Sequence, residues 1–401
     1  MQMLMIFSIK NKEYGGFLMV VEPKVKGFIC TTAHPVGCKE NVRRQIEYIK
    51  TLGENHGPKK VLVIGASTGY GLASRIAAAF GGHADTLGVM FEKEAAGKRT
   101  ATPGFYNTKA FEEFAKAEGL YAKSINGDAF SKEIKEEVIN TIKKDFGTVD
   151  LVIYSLAAPR RVMSDGTIYN SVLKATGEPY KQKSLNLKDN TISEAEIPAA
   201  SKEEIEATVK VMGGEDWFDW MEALSNAQVL SEHAITVAYS YIGPELTYPI
   251  YFDGTIGMAK KNLHEYAQKI RETLSIRTYI SVNKGLVTQA SSAIPVVPLY
   301  FAILYKVMKE KDCHEGCIEQ IGRLFHDKLF GAQVITDEQG MIRMDDYELR
   351  EDVQKEVKVI WDKINSENVT ELSDIKGYWE DFYQMFGFRI KGVDYSADVE
   401  V

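Results

Sequence analysis

The chain has 401 residues, 45% of them hydrophobic, and a formal net charge of −8. This length is enough for one large α/β domain, or for two smaller ones, with a full hydrophobic core. The negative charge and the lack of a basic cluster argue against a nucleic-acid-binding surface. The longest apolar run, residues 293–305, contains two prolines and is too short to cross a bilayer, so no stable membrane association is expected.

The start of the chain does not resemble a signal peptide, because Lys10 and Lys12 follow the short apolar run 3–9 instead of preceding it. With only four cysteines in the chain, the simplest prediction is a protein of the reducing cytoplasm. Residues 1–18 carry no strong pattern and are interpreted as an uncertain N-terminal tail. Met19 is an alternative start for the regular sequence.

A strand, a glycine-rich turn and a helix follow one another at residues 61–80. The apolar run 61–64 predicts a buried parallel strand; Gly65, Gly69 and Gly71 follow it, and an Ala-rich run predicts a helix over 71–80. Glycines let the backbone approach phosphates, and a helix N-terminus supplies free N–H groups and a positive dipole end. The spacing Gly-x3-Gly-x-Gly differs from the common dinucleotide fingerprint, and close packing alone is the alternative explanation.

The next apolar run, residues 86–91, ends in Glu92. A carboxylate at the end of a second strand is placed to accept hydrogen bonds from ribose hydroxyls and to repel a 2′-phosphate. The sequence therefore predicts NADH over NADPH. The alternative is that Glu92 is a solvated loop carboxylate.

Strand-like and helix-like runs alternate along the first two thirds of the chain. Strands are predicted at 61–64, 86–91, 122–125, 149–155 and 277–282, with helices at 71–80, 108–118 and 132–146. This alternation predicts an α/β fold with a doubly wound parallel sheet of the Rossmann type. Because Gly65, Glu92, Asp128 and Ser155 each follow a strand, they are expected at one edge of the sheet.

The pattern breaks after Pro159. Residues of about 160–215 are interpreted as an insertion that begins with a hairpin and resumes helical character at Ser201, which has the spacing of a capping box. Trp217 and Trp220 are expected to be core anchors. Residues of about 340–401 predict a charged helical tail, anchored by Trp361, Trp379 and Phe382. The whole of 19–401 is interpreted as a single enlarged domain with extra helices.

Tyr251 and Lys260 form a Tyr-x8-Lys pair in a second dense region. In reductases built on such a sheet, a tyrosine donates a proton or hydrogen bond to the substrate oxygen, while a lysine holds the nicotinamide ribose and lowers the phenol pKa. Nine residues separate two side chains by about 13 Å along a helix, on opposite faces. Tyr251 is therefore expected in a loop before a helix that Thr255 caps and that carries Lys260. The alternative is an ordinary half-buried tyrosine and a surface lysine.

Several other groups of Cys, His and Arg side chains have interpretations that involve no metal or catalytic role. Cys313, His314 and Cys317 lack a second ligand pair nearby, and no metal site is expected. His34 with Cys38 is interpreted as loop packing. The pair Arg160 and Arg161 faces either coenzyme A phosphates or solvent.

These motifs together resemble the single-chain, NADH-dependent trans-2-enoyl-CoA and enoyl-acyl-carrier-protein (ACP) reductases of bacteria. The resemblance covers residues 19–401, and Tyr-x8-Lys separates this family from related enoyl reductases with Tyr-x6-Lys. The blocks that carry it are 27–30, 34–38, 65–71, 154–161, 211–217, 239–243 with the Tyr251/Lys260 pair, 287–295 and 343–346. The resemblance implies a fold like that of the short-chain dehydrogenases/reductases. It also implies reduction of the 2,3 double bond of an enoyl thioester.

The resemblance also assigns roles. Tyr251 is the implied catalytic acid, Lys260 binds the nicotinamide ribose and phosphate, and Tyr241 lines the acyl site and shares the enolate hydrogen bond. The implied NADH-binding residues are Gly65, Ser67, Gly69, Tyr70, Gly71, Glu92, Asp128, Ala129, Ser155, Leu156, Ala157, Leu286, Val287 and Thr288. The run 294–307 is either core or a substrate-covering helix, in which Ile294 and Pro295 contact the acyl chain.

The resemblance implies an enoyl-CoA or enoyl-ACP substrate and a monomeric protein. Two other classes stay open from the residues alone. A carbonyl or alcohol oxidoreductase on the same sheet would carry Tyr-x3-Lys instead, and an NADH-sensing regulator would have no need of the Tyr/Lys pair. The sequence does not separate the CoA carrier from the ACP carrier.

Overall fold

The structure, a computed structural model, describes residues 17–27, 29–288, 291 and 294–401. Its strands are β1 (Leu18–Met19), β2 (Val25–Lys26), β3 (Ile29–Cys30), β4 (Lys60–Ile64), β5 (Asp85–Met90), β6 (Ala122–Asn126), β7 (Val149–Tyr154), β8 (Arg160–Val162), β9 (Ile168–Asn170), β10 (Tyr180–Asn186), β11 (Thr191–Ile197), β12 (Leu230–Ser240), β13 (Arg277–Val282), β14 (Met341–Arg343) and β15 (Val399–Glu400).

Its α-helices are α1 (Pro35–Thr51), α2 (Gly69–Ile76), α3 (Pro103–Ala117), α4 (Lys132–Asp145), α5 (Lys202–Met212), α6 (Glu215–Asn226), α7 (Thr255–Leu274), α8 (Val297–Glu310), α9 (Cys317–Arg323), α10 (Glu351–Lys363), α11 (Val369–Leu372) and α12 (Ile375–Gln384). Short π-helical turns at Ala77–Gly81 and Leu324–Leu329 continue α2 and α9. In the described part of the chain, no helix is both long and apolar enough to span a membrane.

Seven strands form one sheet in the spatial order β14-β13-β12-β7-β4-β5-β6. Every neighbouring pair in it is parallel. The order reverses between β4 and β7, as in doubly wound folds, and the carboxyl ends of all seven strands lie at one edge. The predicted fold class is confirmed.

Two strands of this sheet were not among those predicted. The first four residues of β12 are half-buried or exposed and three of them are polar, and its register against β7 shifts between Leu230 and Ile235. Its first half therefore carries no apolar run. β14 has three residues and lies inside the predicted helical tail, which therefore contributes an edge strand to the main sheet. Strands this short leave little periodic signal in a sequence.

Helix starts differ from the predictions at two places. α3 begins at Pro103, five residues earlier than expected, because proline is well suited to the first turn of a helix. The N-cap of α7 is Gly254, so the prediction that Thr255 caps this helix is wrong. The Thr255 hydroxyl instead donates to the carbonyl of Val172 in the inserted segment.

The predicted insertion contains two antiparallel hairpins, β8–β9 and β10–β11. Lys183 ties the second hairpin to α10 by donating to the carbonyls of Trp361, Asp362 and Ile364 at that helix's C-terminus. A cation is favourable there because the last carbonyls of a helix have no partners within it. The predicted capping box of α5 is present between Ser201 and Glu204.

Tryptophans anchor the core as expected. Trp217 and Trp220 are fully buried under the sheet, and their indole N–H groups donate to Thr236 and to the Ala129 carbonyl. A second apolar cluster forms around helix α8, whose residues 297–305 are all buried, and includes Trp361 and residues of α12. The C-terminal strand β15 pairs with β1, which closes the chain's described ends against each other.

Candidate active site

Glycines shape the turn between β4 and α2. A Cβ on Gly65 would lie 2.2 Å from the carbonyl oxygen of Ser155, and one on Gly71 would lie 1.9 Å from the carbonyl oxygen of Gly65. Gly65 and Gly69 also have positive φ, at +84° and +54°. Both packing and backbone conformation therefore require glycine here. Within the described residues the Thr68 side chain forms no capping bond, which leaves the first amides of α2 for a phosphate.

The carboxylate of Glu92 lies beside this turn. Ser67 donates to its Oε1 at 2.6 Å, and the side chain of Asn126 bonds both the amide and the carbonyl of Glu92, at 2.8 and 2.9 Å. A Cβ on Gly104 would come within 2.0 Å of the same Oε1, so α3 packs directly against this carboxylate. Glu92 is thus fixed in place at the sheet edge, unlike a freely solvated loop carboxylate.

The segments after β6 and β7 complete the same edge. Asp128 accepts a hydrogen bond from the amide of Phe130, and the buried Ala129 has a carbonyl that accepts from Lys135 and Trp220. Ser155 donates its amide to Ile64 and is half-buried, as is Leu156, whereas Ala157 is exposed. The residues predicted after these strands therefore lie at the same sheet edge as the glycine turn.

Lys260 lies in the second turn of α7, and its Nζ donates to the carbonyl of Tyr239 at 2.9 Å, at the end of β12. Burial lowers the pKa of this lysine to about 8. The Tyr239 ring lies 5.7 Å from that of Tyr70, in the first turn of α2, and the Tyr70 hydroxyl donates to the carbonyl of Lys284 after β13. These contacts connect Lys260 with the glycine turn.

Tyr251 occupies the loop before α7, as predicted. Its ring meets that of Tyr241 edge-on, with centroids 4.6 Å apart. Among the described residues no hydrogen-bond partner is found for its hydroxyl. Burial, and then the charge of Glu348, raise the pKa of Tyr251. The expectation that Lys260 lowers this pKa is therefore wrong, and the phenol keeps its proton at neutral pH.

The loop after β13 forms the wall next to these tyrosines. Leu286 and Val287 are buried, and the Val287 amide donates to the Tyr305 hydroxyl at 3.0 Å. The Thr288 amide donates to Ser291 at 2.8 Å. The two predicted substrate contacts differ in exposure. Ile294 is buried in the cluster around α8, whereas Pro295 is exposed. Residues 289, 290, 292 and 293 of the predicted block lie outside the described residues.

Three buried polar residues were not predicted for this edge. Glu348, between β14 and α10, accepts from the hydroxyl of Tyr241, and Gln320 of α9 bonds both Tyr70 and the amide of Lys284. All three are 0–2% exposed. Gln320 lies outside the recognised blocks and Glu348 lies two residues beyond the block 343–346, whereas Lys284 stands near the end of a predicted strand.

The remaining candidates have structural roles. Arg161 is buried, with ion pairs to Glu215 and Asp219, so it faces neither solvent nor a ligand phosphate. His34 caps α1 by accepting from the amide of Gly37, in agreement with loop packing. In the described ranges no three His, Cys, Asp or Glu side chains are grouped to hold a metal ion, the region of Cys313 included.

A parallel doubly wound sheet, with a glycine turn, the fixed carboxylate of Glu92 and a tyrosine and lysine at one edge, defines a Rossmann-type dinucleotide-dependent reductase. The family can be stated more closely. Residues 20–97 match the NAD(P)H-binding domain of trans-2-enoyl-CoA reductase and residues 99–330 match its catalytic region, and the chain belongs to this family.

Whole-chain relatives agree with this assignment. The chain is 54% identical to trans-2-enoyl-CoA reductase [NADH] of Ruminiclostridium cellulolyticum, over 96% of this chain and 98% of that protein. It is 56% identical to enoyl-[acyl-carrier-protein] reductase [NADH] of Flavobacterium johnsoniae, over 95% and 97%. The crystal structure of Treponema denticola trans-2-enoyl-CoA reductase in complex with NAD superposes with a TM-score of 0.92 at 50% identity, covering 95% of this chain and 98% of that one.

Residues 336–399 match a third model, described as an enoyl reductase FAD-binding domain. The side chains present do not fit a flavin dinucleotide. The first turn of α10 carries Glu351 and Asp352, which repel a pyrophosphate, and the N-terminus of α12 is occupied by the Asp374 carboxylate bonded to the Gly377 amide. The interior of the segment is filled by buried aromatic side chains. No chemical step is assigned to a flavin here.

Proposed function

We propose that this protein reduces the 2,3 double bond of trans-2-enoyl thioesters with NADH, giving saturated acyl thioesters. One observation carries the proposal: a buried phenol with no described hydrogen-bond partner, Tyr251, stands at the same sheet edge as the glycine turn and Lys260. Relatives that align with 95–96% of this chain are named as enoyl reductases, which supports the reaction class.

In this proposal the bound NADH supplies the hydride that adds to the β-carbon of the thioester. Negative charge then develops on the thioester oxygen, where the Tyr251 hydroxyl donates a hydrogen bond. A preorganised donor in a buried site stabilises such charge more than water does. Because the pKa of Tyr251 is raised, the proton is present when it is needed. The α-carbon takes up a proton to complete the reduction.

The proposed cofactor contacts follow the sheet edge. Gly65, Ser67, Gly69 and Gly71 receive the pyrophosphate, Glu92 the adenosine ribose, and Lys260 the nicotinamide ribose and phosphate. The other proposed contacts are Tyr70, Asp128, Ala129, Ser155, Leu156, Ala157, Leu286, Val287 and Thr288 for the cofactor, and Tyr241, Ile294 and Pro295 for the acyl group. For Tyr70 the proposal is a ring contact, since its hydroxyl is bonded to Lys284.

The test is NADH oxidation, followed by loss of absorbance, with crotonyl-CoA, with a longer trans-2-enoyl-CoA and with a set of ketones. Turnover of the thioesters without turnover of the ketones is the expected result. Turnover of ketones alone would favour a carbonyl reductase. If neither these compounds nor the matching ACP thioester were turned over, an NADH-binding regulator would be favoured.

We propose CoA and ACP thioesters as substrates together, because the carriers share the reacting atoms and differ only outside the site. Parallel assays with crotonyl-CoA and crotonyl-ACP measure the preference.

A single domain over residues 19–401 is proposed because β14 joins the main sheet and β15 pairs with β1. Cytoplasmic location suits the four free cysteines. The monomeric state stays a prediction, which light scattering after gel filtration tests.

Replacing Glu92 with glutamine is expected to relax the preference for NADH. The amide keeps the packing against Ser67 and Gly104 but removes the charge that repels a 2′-phosphate, so the ratio of kcat/KM for NADPH to that for NADH rises about tenfold or more. Kinetics with both cofactors measure this ratio. Glu94→Gln, two residues further at an exposed position, is the control. An equal change in both variants would contradict the ribose role.

The value of kcat/KM for NADH is expected to fall as the pH rises above about 8, where Lys260 loses its proton in the free enzyme. The decline approaches tenfold per pH unit when a single protonated group is required. Lys260→Arg keeps its charge throughout this range and is expected to remove the decline. The same alkaline decline in the arginine variant would exclude Lys260 as the titrating group.

A further inference from the structure

A carboxylate outside every sequence motif lies in the wall of the proposed site. Glu348, in the turn between β14 and α10, is fully buried. Its Oε1 accepts from the hydroxyls of Tyr241, at 3.0 Å, and Tyr300, at 2.7 Å, and its Oε2 accepts from the amide of Gly285 at 2.7 Å. A buried carboxylate is costly unless donors surround it, and these three donors satisfy it.

The three donors come from different parts of the chain. Tyr241 follows β12, Gly285 follows β13, and Tyr300 belongs to α8. Gln354 of α10 braces the group by donating to the Glu348 carbonyl and to the Tyr300 hydroxyl. The carboxylate therefore fixes the acyl-site tyrosine relative to the loop that lies beside the proposed nicotinamide position.

The direction of the hydrogen bond from Tyr241 limits what this residue can do. A phenol has one hydrogen, and the hydrogen of Tyr241 is used on Glu348, so its oxygen offers only lone pairs elsewhere. Tyr251, whose ring packs edge-on against Tyr241, has no described partner for its hydroxyl. The expectation that Tyr241 shares the enolate hydrogen bond does not fit this arrangement.

We infer that Glu348 is a positioning residue for the proposed reaction: it binds the Tyr241 hydroxyl and the Gly285 amide, holds the ring against which Tyr251 packs, and leaves Tyr251 as the phenol that donates to the thioester oxygen. This inference rests on the proposed function. The ionisable groups that face Glu348 are Lys284, Tyr241, Tyr251 and Tyr300. Burial raises the pKa of Glu348 and the nearby Lys284 opposes this shift; the charged form is the one that accepts all three bonds.

A double-mutant cycle on kcat tests the inference. Tyr241→Phe removes the donor of the bond between these residues, and Glu348→Met removes its acceptor while keeping an unbranched side chain of similar length. Each is expected to lower kcat about tenfold, and the double variant is also expected to lose about tenfold, because both changes remove one interaction. A roughly hundredfold loss in the double variant would show independent effects and would overturn the inference. So would unchanged turnover in Glu348→Met, which lacks any acceptor for the Tyr241 hydroxyl.

Tyr300→Phe is the matched control, and its comparison with Tyr241→Phe is the second route if Glu348→Met does not fold. It removes the other phenol from the same carboxylate oxygen and leaves the bonds from Tyr241 and Gly285 in place. Its kcat is expected to stay within about threefold of wild type. A loss equal to that of Tyr241→Phe would mean that the carboxylate acts only as general core structure, against the inference.

Wild-type turnover of crotonyl-CoA with NADH is measured first, which separates the two proposals. Its absence, together with absence of turnover on crotonyl-ACP, would contradict the proposed function itself. If the wild type turned over crotonyl-CoA but the kcat losses of the two single variants multiplied in the double variant, only the role of Glu348 would be overturned. Thermal unfolding of each variant shows that the compared proteins are folded.

Discussion

Tyr251→Phe is expected to lower kcat for an enoyl thioester by about 10²–10³-fold, while the dissociation constant for NADH stays within about twofold of wild type. The ring remains and keeps its packing against Tyr241, so the site retains its shape. Only the hydrogen-bond donor for the developing oxyanion is lost. Steady-state kinetics with crotonyl-CoA and fluorescence titration with NADH measure the two quantities on the same preparation.

Tyr248→Phe is the control for this change. Tyr248 stands three residues earlier in the same loop, with its ring against Phe252 in place of Tyr241. Its kcat is expected to stay near that of wild type. If Tyr251→Phe retained most of its turnover, or if the two variants lost equal amounts, Tyr251 would not be the donor to the thioester oxygen.

Gly65→Ala is expected to abolish measurable NADH binding, which means a loss of at least about a hundredfold. The new methyl group would lie 2.2 Å from the carbonyl oxygen of Ser155, at a residue with φ of +84°. Relieving this contact forces apart the turns after β4 and β7, which together form the proposed pyrophosphate and nicotinamide edge. Titration with NADH and thermal unfolding separate a loss of binding from a loss of fold.

Gly147→Ala isolates the contribution of backbone strain. Gly147 has φ of +76°, close to that of Gly65, but a Cβ there meets nothing within 4 Å. Its substitution is expected to cost about 1 kcal/mol in the free energy of unfolding and to leave NADH binding unchanged. Undiminished NADH binding by Gly65→Ala would contradict the assignment of this turn to the cofactor.

Local patterns predicted much of the nucleotide-binding half. Neighbouring residues were enough to predict the strand at 61–64, the glycines that follow it and the position of Glu92. A buried parallel strand and a tight turn each leave a short, recognisable pattern in the sequence. The same holds for the loop position of Tyr251 and the helix that carries Lys260, since glycines separate the two. These predictions needed no knowledge of distant contacts.

Tertiary structure decided the strand β12, the edge strand β14 and the buried partners of the tyrosines. β12 carries polar residues at positions 231–233, and no strand was predicted there, yet it is a central strand of the sheet because β7 and β13 flank it. In the sequence, Arg161 cannot be distinguished from an arginine that binds a phosphate. The packing of α6 instead places carboxylates around it. The pKa of Tyr251 likewise follows from burial and from Glu348, whereas the sequence suggested Lys260.

The sequence by itself determined the fold class, the glycine turn, the carboxylate that follows the second strand and the Tyr/Lys pair, because each of these depends on residues that are close along the chain. Only the tertiary structure decided that Glu348 accepts the hydrogen of Tyr241 and that Tyr251 keeps its own. Those two phenols look alike in sequence. They differ because a residue more than a hundred positions away, which folding buries beside Tyr241, must find donors for its carboxylate.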